Sequence, residues 1–130
     1  MRTRSRLLLW APVVLLLAFE YWLSDRPPSS FPRLLSFAGG DKIVHAAYFL
    51  LTGILAVRAA RFGEGWGLAK TAVFLLLGAA LWGCSDEIHQ SFVPGRDVEI
   101  ADVLADVAGV VVAVGAGERL LLSTGLNRTA

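Results

Sequence analysis

Apolar residues run through this chain in four long blocks separated by short polar segments. Crossing a hydrocarbon core about 30 Å thick takes about 20 mostly apolar residues in a helix, since every backbone polar group must be satisfied within the segment. Four blocks come close to that length: Leu7 to Leu23, Ile43 to Ala60, Leu68 to Ser85 and Ile100 to Gly117. With the polar residues at their ends, they predict helices at about 7–23, 43–60, 68–90 and 98–117 in one domain, 1–130.

The segments between the blocks indicate how the helices are arranged. Residues 24–40 contain prolines and glycines that break regular structure, which predicts an extramembrane loop. The connections at 61–67 and 91–98 are short, so helices two and three, and helices three and four, should be antiparallel neighbours. The predicted fold class is all-α, an integral membrane four-helix antiparallel bundle.

Small residues recur every four positions in the last helix. They are Ala101, Ala105, Gly109, Ala113 and Gly117. Such a strip lets another helix approach closely in lipid. The strip packs either inside the bundle or across a dimer, and the sequence leaves the oligomeric state open.

Composition narrows the class of protein. Of 130 residues, 55% are hydrophobic and 18% are charged, which is too apolar for an ordinary soluble domain. The formal net charge of +1 and the lack of a Gly-rich phosphate loop argue against nucleic-acid binding. A single cysteine, Cys84, excludes an internal disulfide and a Cys-rich metal site.

Lysine and arginine are unequally distributed between the two predicted membrane sides. One side holds Arg2, Arg4, Arg6, Arg58, Arg61, Lys70, Arg119 and Arg128, and the other holds Arg26, Arg33, Lys42 and Arg96. The positive-inside rule therefore predicts a multi-pass protein of the cell membrane with both termini cytoplasmic. The first block also resembles a signal peptide, but no small-x-small cleavage site follows it, and Tyr21 and Trp22 are typical interfacial anchors.

Ionisable residues collect at the outward ends of helices two, three and four. They are Asp41, Lys42, His45 and Tyr48 on helix two; Asp86, Glu87, His89 and Gln90 on helix three; and Asp97, Glu99, Asp102 and Asp106 on helix four. Spacings of three, four and seven residues place most of them on one stripe of each helix. Three polar stripes can therefore face one another.

Asp106 is the deepest member of this cluster. It lies seven residues beyond Glu99, roughly 10 Å deeper. A bare carboxylate there costs at least about 2.5 kcal/mol, so it should be paired, protonated, metal-bound or hydrated. The groups could simply satisfy one another between helices, but so many in one cluster favour a functional site. Glu20, near the end of helix one, either joins them or reaches the interface.

The turn SFVPGRDVE at 91–99 predicts a second polar element. Pro94 and Gly95 predict a tight turn that holds Arg96 over the cluster, where its forked donors can bind a phosphate or carboxylate. Alternatively, Arg96 pairs with a neighbouring carboxylate and fixes the turn, and the two roles can coexist.

Two segments carry a resemblance to a known family. They are DKIVHAAYFLLTGIL at 41–55 and DEIHQSFVPGRDVEIADVLADVAGVVVAVG at 86–115. On these motifs the sequence resembles the VanZ-like family of small membrane proteins. The positions that the resemblance implies are shared are Asp41, Lys42, His45, Asp86, Glu87, Gln90, Arg96, Asp102 and Gly109. Asp106 stands where the family more often has Asn. The family is named for a glycopeptide-resistance accessory protein linked to teicoplanin resistance, which implies a cell-envelope role.

The first functional hypothesis is an enzyme that hydrolyses or transfers part of an anionic phospholipid or envelope-precursor headgroup at the outer leaflet. His45 is the best general base or metal ligand because imidazole exchanges protons near neutral pH. The predicted catalytic residues are His45, Asp86, Glu87 and Asp102. The predicted substrate-binding residues are Asp41, Lys42, Tyr48, Gln90, Arg96 and Asp106, with Lys42 and Arg96 holding a phosphate.

Two other hypotheses use the same residues differently. A non-catalytic membrane module that binds a lipid headgroup, a glycopeptide or a partner protein needs the polar pocket but no acid and base. A proton or ion pathway fits less well, because the inner halves of the helices, such as Ala72 to Ala80, are apolar. No cofactor can be named from the sequence, and a divalent cation is a hypothesis that the carboxylates and His45 motivate.

Overall fold

Four long helices make up most of the protein in a computed structural model, which describes residues 3–30 and 37–123. The helices are α1 (Thr3–Ser24), α2 (Gly40–Arg58), α3 (Leu68–Gln90) and α4 (Ile100–Ser123). A 3-10 turn covers Pro28–Ser30, and a π-helical turn, Ala59–Gly63, extends α2. All four helices are long and apolar enough to cross a membrane. The predicted all-α membrane fold is therefore confirmed.

Helix ends depart from the predicted bounds in understandable ways. α1 begins before its apolar block and α4 continues past its own, because helical hydrogen bonds do not depend on side-chain polarity. Gly39 precedes α2 with φ +82°, a left-handed conformation that favours glycine. Gly95 has φ +81° in the turn before α4, as the Pro94-Gly95 pair predicted. Residues 31–36 of the loop predicted at 24–40 lie outside the described residues.

The closest packing in the bundle joins α2 and α4, which run parallel. A methyl group added at Gly53 would lie 2.6 Å from the Ala113 Cβ, and one at Gly117 would lie 3.0 Å from Val57. Gly109 packs directly on the backbone of α2 at Ala46 and Leu50. The deeper part of the small-residue strip on α4 therefore packs inside the bundle. α3 is antiparallel to α2 and α4, as predicted, but lies mainly against α4.

Polar contacts lie at the two ends of the bundle and an apolar core lies between them. The core contains Val13, Phe49, Leu75 and Val110, one from each helix. Large side chains such as Leu104 remain exposed on the outer faces, as lipid-facing residues must. The polar end (residues 20–30, 37–48 and 83–106) is where α1 and α3 end and α2 and α4 begin. It contains all the predicted site residues.

Candidate functional site

The outer layer of the polar end is an ion-pair cluster around Lys42. Its Nζ lies 2.5 Å from Asp41 Oδ2 and 3.1 Å from Asp102 Oδ1, and it also hydrogen-bonds Glu99. An ammonium group has three N–H donors, so three carboxylates match its full donor capacity. Lys42 therefore acts first as an internal counter-charge between the starts of α2 and α4.

One turn deeper, His45 of α2 faces two aspartates of α4. His45 Nδ1 lies 2.9 Å from Asp106 Oδ1, and His45 Nε2 lies 4.0 Å from Asp102 Oδ2. When the Asp106 carboxylate is ionised, the ring must donate this bond, so Nδ1 carries the proton and the neutral imidazole keeps Nε2 as an acceptor. Asp106 is 1% exposed and the His45 side chain is 18% exposed, so the pair lies partly buried between parallel helices.

Helices α1 and α3 add two further buried carboxyl groups. Glu20 accepts a 2.6 Å hydrogen bond from Trp82 Nε1, and it interacts electrostatically with Asp86. Both carboxyl groups act electrostatically on Asp106. Glu20 Oε1 and Asp86 Oδ1 are buried and receive no hydrogen bond from a donor in the described residues. This arrangement leaves acceptor positions for a ligand that donates hydrogen bonds.

Two predicted site residues have contacts that stabilise the fold. Glu87 Oε2 accepts a 2.6 Å hydrogen bond from the backbone N–H of Glu99, next to the first turn of α4. The first N–H groups of a helix lack intrahelical acceptors, so Glu87 caps α4 from α3. Gln90 Nε2 donates to Asp86 Oδ2 at 2.5 Å, one turn away on α3. That contact fixes the orientation of the Asp86 carboxyl group.

A comparison with protein-family models decides the family. Residues 4–121 match the model described as VanZ/LLP1, which covers most of the chain. The chain belongs to the VanZ/LLP1 family. The resemblance seen in the motifs at 41–55 and 86–115 is thereby confirmed. Searches of curated proteins and of solved structures found no match.

In this VanZ/LLP1 chain, the predicted site residues separate into a centre and a rim. At the centre, His45 contacts Asp106 and lies 4.0 Å from Asp102, and Asp86 and Glu87 act electrostatically on these groups. Two of the rim residues, Tyr48 and Arg96, donate hydrogen bonds to backbone carbonyl groups. Tyr48 donates a 2.7 Å hydrogen bond to the Leu16 carbonyl of α1, and Arg96 Nε donates one of 3.1 Å to the Arg26 carbonyl. The substrate-binding roles of Tyr48 and Arg96 stay predictions.

The departure at Asp106 from the family's usual Asn has a direct structural explanation. The Asp106 side chain uses an oxygen to accept from His45 Nδ1. An asparagine amide oxygen can accept the same bond, so either residue can hold the imidazole in one tautomer. What an aspartate adds is negative charge beside the ring. Asp106 therefore fixes the orientation of the His45 ring through this hydrogen bond.

Two residues of the polar end could not be assigned from the sequence, Glu20 on α1 and Trp82 on α3. Glu20 is expected either in the cluster or at the interface, and the structure places it in the cluster, where it is 8% exposed. Trp82, its hydrogen-bond donor, was not predicted. The available signal was spacing, since Trp82 lies four residues before Asp86 and shares its helix face.

Gly83 of α3 leaves room for the Asp106 side chain, because a methyl group at Gly83 would lie 2.9 Å from Asp106 Oδ2.

The charge at the polar end favours cations over anions. Within the described part of the chain it carries nine carboxylates against three lysine and arginine side chains. Oxygen atoms of Asp41, Glu99 and Asp102 lie within 4.8 Å of one another, close enough to hold a metal ion. Lys42 Nζ contacts the same three side chains. A divalent cation bound there would therefore compete with the Lys42 ammonium.

Lys42→Met is accordingly expected to create a calcium site. The variant leaves three carboxylates without their counter-charge, and Ca²⁺ prefers such oxygen ligands. We expect the melting temperature in detergent to fall without Ca²⁺ and to recover on its addition. Lys70→Met is the matched control, because Lys70 lies over Trp66 at the opposite end. A Lys42→Met protein that does not respond to Ca²⁺ would contradict the counter-charge role.

Proposed function

We propose that this VanZ/LLP1 protein is a membrane-embedded enzyme that acts on the headgroup of a cell-envelope lipid or lipid-linked precursor. The observation that carries the proposal is the partly buried pair of His45 and Asp106, 2.9 Å apart, with Nε2 4.0 Å from Asp102. A carboxylate that orients an imidazole is a recurring arrangement for a general base. The distribution of lysine and arginine supports a site at the outer membrane surface and cytoplasmic termini.

Hydrolysis is the reaction that these groups serve most simply. His45 Nε2 accepts a proton from a water molecule as its oxygen attacks the phosphorus or carbonyl carbon of the headgroup. The bond to the leaving oxygen breaks, and the imidazolium of His45 gives that oxygen the proton that it took from water. Asp106 stabilises the imidazolium that forms meanwhile. With an alcohol in place of water, the same steps give transfer.

The charge of the site refines the substrate class. Lys42 is matched by three carboxylates, so it gives little free positive charge to a phosphate. Glu20 and Asp86 offer acceptor oxygens instead. A phosphate-linked headgroup that also carries an amine or several hydroxyl groups therefore fits better than a bare phosphate. Such groups donate the hydrogen bonds that the buried carboxyl oxygens lack.

A non-catalytic headgroup-binding module is the second candidate, and one observation favours it. Glu87 caps α4 and Gln90 orients Asp86. The contacts of these two predicted site residues are therefore explained by the stability of the fold, without any catalytic reaction. A binding site would use the same acceptor oxygens without turnover. The glycopeptide and partner-protein versions of this idea need the same pocket.

Proteoliposomes distinguish the two candidates. The purified chain is reconstituted with a polar lipid extract of its own membrane, and the lipids are followed over time by mass spectrometry. An enzyme depletes one headgroup class and forms a product of matching mass, and vesicles with heat-unfolded protein do not. Stable retention of one lipid class through detergent purification, without any product, would support the binding module. Neither product nor retention would refute a lipid headgroup site.

A further inference from the structure

An apolar cavity of about 240 Å³ lies between α1 and α3 in the middle of the bundle. α1 contributes Val13 and Leu17, α3 contributes Phe74 and Gly78, and residues of α2 and α4 close the floor. Phe74 is half exposed, so this wall borders the lipid. An engineered apolar cavity of about 150 Å³ binds benzene. The space here is therefore large enough for a stretch of hydrocarbon chain.

α1 and α3 contact each other at both ends of the cavity and are separated between those contacts. Near the polar end, Trp82 of α3 donates to Glu20 of α1. Near the opposite end, the Trp10 ring of α1 meets the Phe74 ring of α3 edge-on, with centroids 6.4 Å apart. In the stretch between, Gly78 has no protein atom within 4 Å of where its Cβ would lie. Trp10 and Trp82 therefore bound the cavity at its two ends, and Gly78, which has no side chain, leaves the space between them open.

The cavity is continuous with the polar site through one side chain. Trp82 lines the cavity with its ring and donates its Nε1–H to the buried Glu20 carboxylate. The apolar cavity and the polar site therefore share a wall at Trp82.

We infer that this cavity binds one hydrocarbon chain of the lipid whose headgroup occupies the polar site. The inference rests on the proposed headgroup site and adds the substrate class, a lipid with a long apolar chain. The polar end alone would accept a water-soluble headgroup, whereas the cavity supplies contacts that only an attached chain can make. A chain in the cavity contacts all four helices, and a lipid on an outer face touches one or two.

Gly78→Leu tests the inference, because Gly78 lines the cavity and open space surrounds the position of its missing Cβ. Gly115→Leu is the matched control, since Gly115 is also helical, has no atom within 4 Å of its missing Cβ, and does not line the cavity. The probe is a phosphatidylethanolamine with a diazirine at the middle of one acyl chain, in phosphatidylethanolamine and phosphatidylglycerol vesicles. Cross-links are mapped by mass spectrometry, and thermal unfolding checks the fold of each variant.

The expected result is labelling concentrated on the α1 and α3 residues of the cavity in the wild type and in Gly115→Leu. We expect Gly78→Leu to lower that labelling at least about tenfold, as filling an apolar pocket does. Gly78→Ala should have a smaller effect and keeps the test open should the leucine variant unfold. Equal labelling in all four proteins, or labelling spread over every lipid-facing side, would overturn the inference. This readout needs no turnover, so it can fail or succeed apart from the proposed enzyme activity.

Discussion

His45→Ala is expected to slow headgroup conversion by about 100- to 10,000-fold, the contribution typical of a positioned general base. The loss should appear in kcat, because the imidazole acts on the proton of the attacking group. In the proposed complex the headgroup contacts the surrounding carboxyl oxygens rather than His45, so lipid retention should persist. The measurement is the initial rate of product formation in proteoliposomes, with protein content matched between variants.

Three further variants make that result specific to His45. Leu104→Ala changes an exposed, lipid-facing side chain of α4 and should keep the wild-type rate. Asp106→Asn should retain much of the activity, because an amide oxygen still accepts from Nδ1. Asp106→Leu removes that acceptor and should approach the loss seen for His45→Ala. A His45→Ala protein with the wild-type rate would exclude this histidine as the base.

Gly109→Ala is expected to destabilise the bundle more than other small changes on α4. The added methyl group would collide with the Ala46 carbonyl and the Leu50 N–H of α2, which are backbone atoms that cannot rotate aside. Overpacking of this kind costs about 1–3 kcal/mol in the free energy of unfolding, and Gly109→Leu should cost more. Unfolding of the purified protein in detergent micelles, followed by circular dichroism, measures the difference.

Gly115→Ala provides the matched comparison for Gly109→Ala. Gly115 lies on the same helix, and nothing lies within 4 Å of its missing Cβ. Alanine in place of glycine within a helix stabilises by roughly 0.5–1 kcal/mol, so this variant should be as stable as the wild type or more so. Equal destabilisation by both variants would mean that the parallel α2–α4 contact is looser than described.

The four helices could be predicted from the sequence, but which helices pack against each other could not. Each apolar block has the length of a membrane span, which is a local property, so all four helices could be predicted. Which helix receives the strip of Gly109 and Gly117 depends on three-dimensional packing. Apolar surfaces gain little by choosing one another over lipid, so no hydrophobic pattern distinguishes α2 from α3 as the partner.

Much of the candidate site could be predicted because it follows helical spacing. His45 and Asp106 lie on stripes that the spacing of three, four and seven residues identifies. The roles within the cluster were less predictable. Glu87, a predicted catalytic residue, also caps a helix, and Lys42, a predicted substrate-binding residue, also pairs with three carboxylates. Those roles depend on which partners come within about 3 Å, a distance that sequence spacing does not fix.

The direct backbone contact between α2 and α4 has a consequence for substrate entry. Both halves of the His45–Asp106 pair belong to these two helices, which pack backbone to backbone at their glycines. α1 and α3 are joined to each other at only a few points of the described residues. The proposed lipid is therefore expected to enter sideways between α1 and α3, a route that leaves the alignment of the imidazole and its carboxylate unchanged.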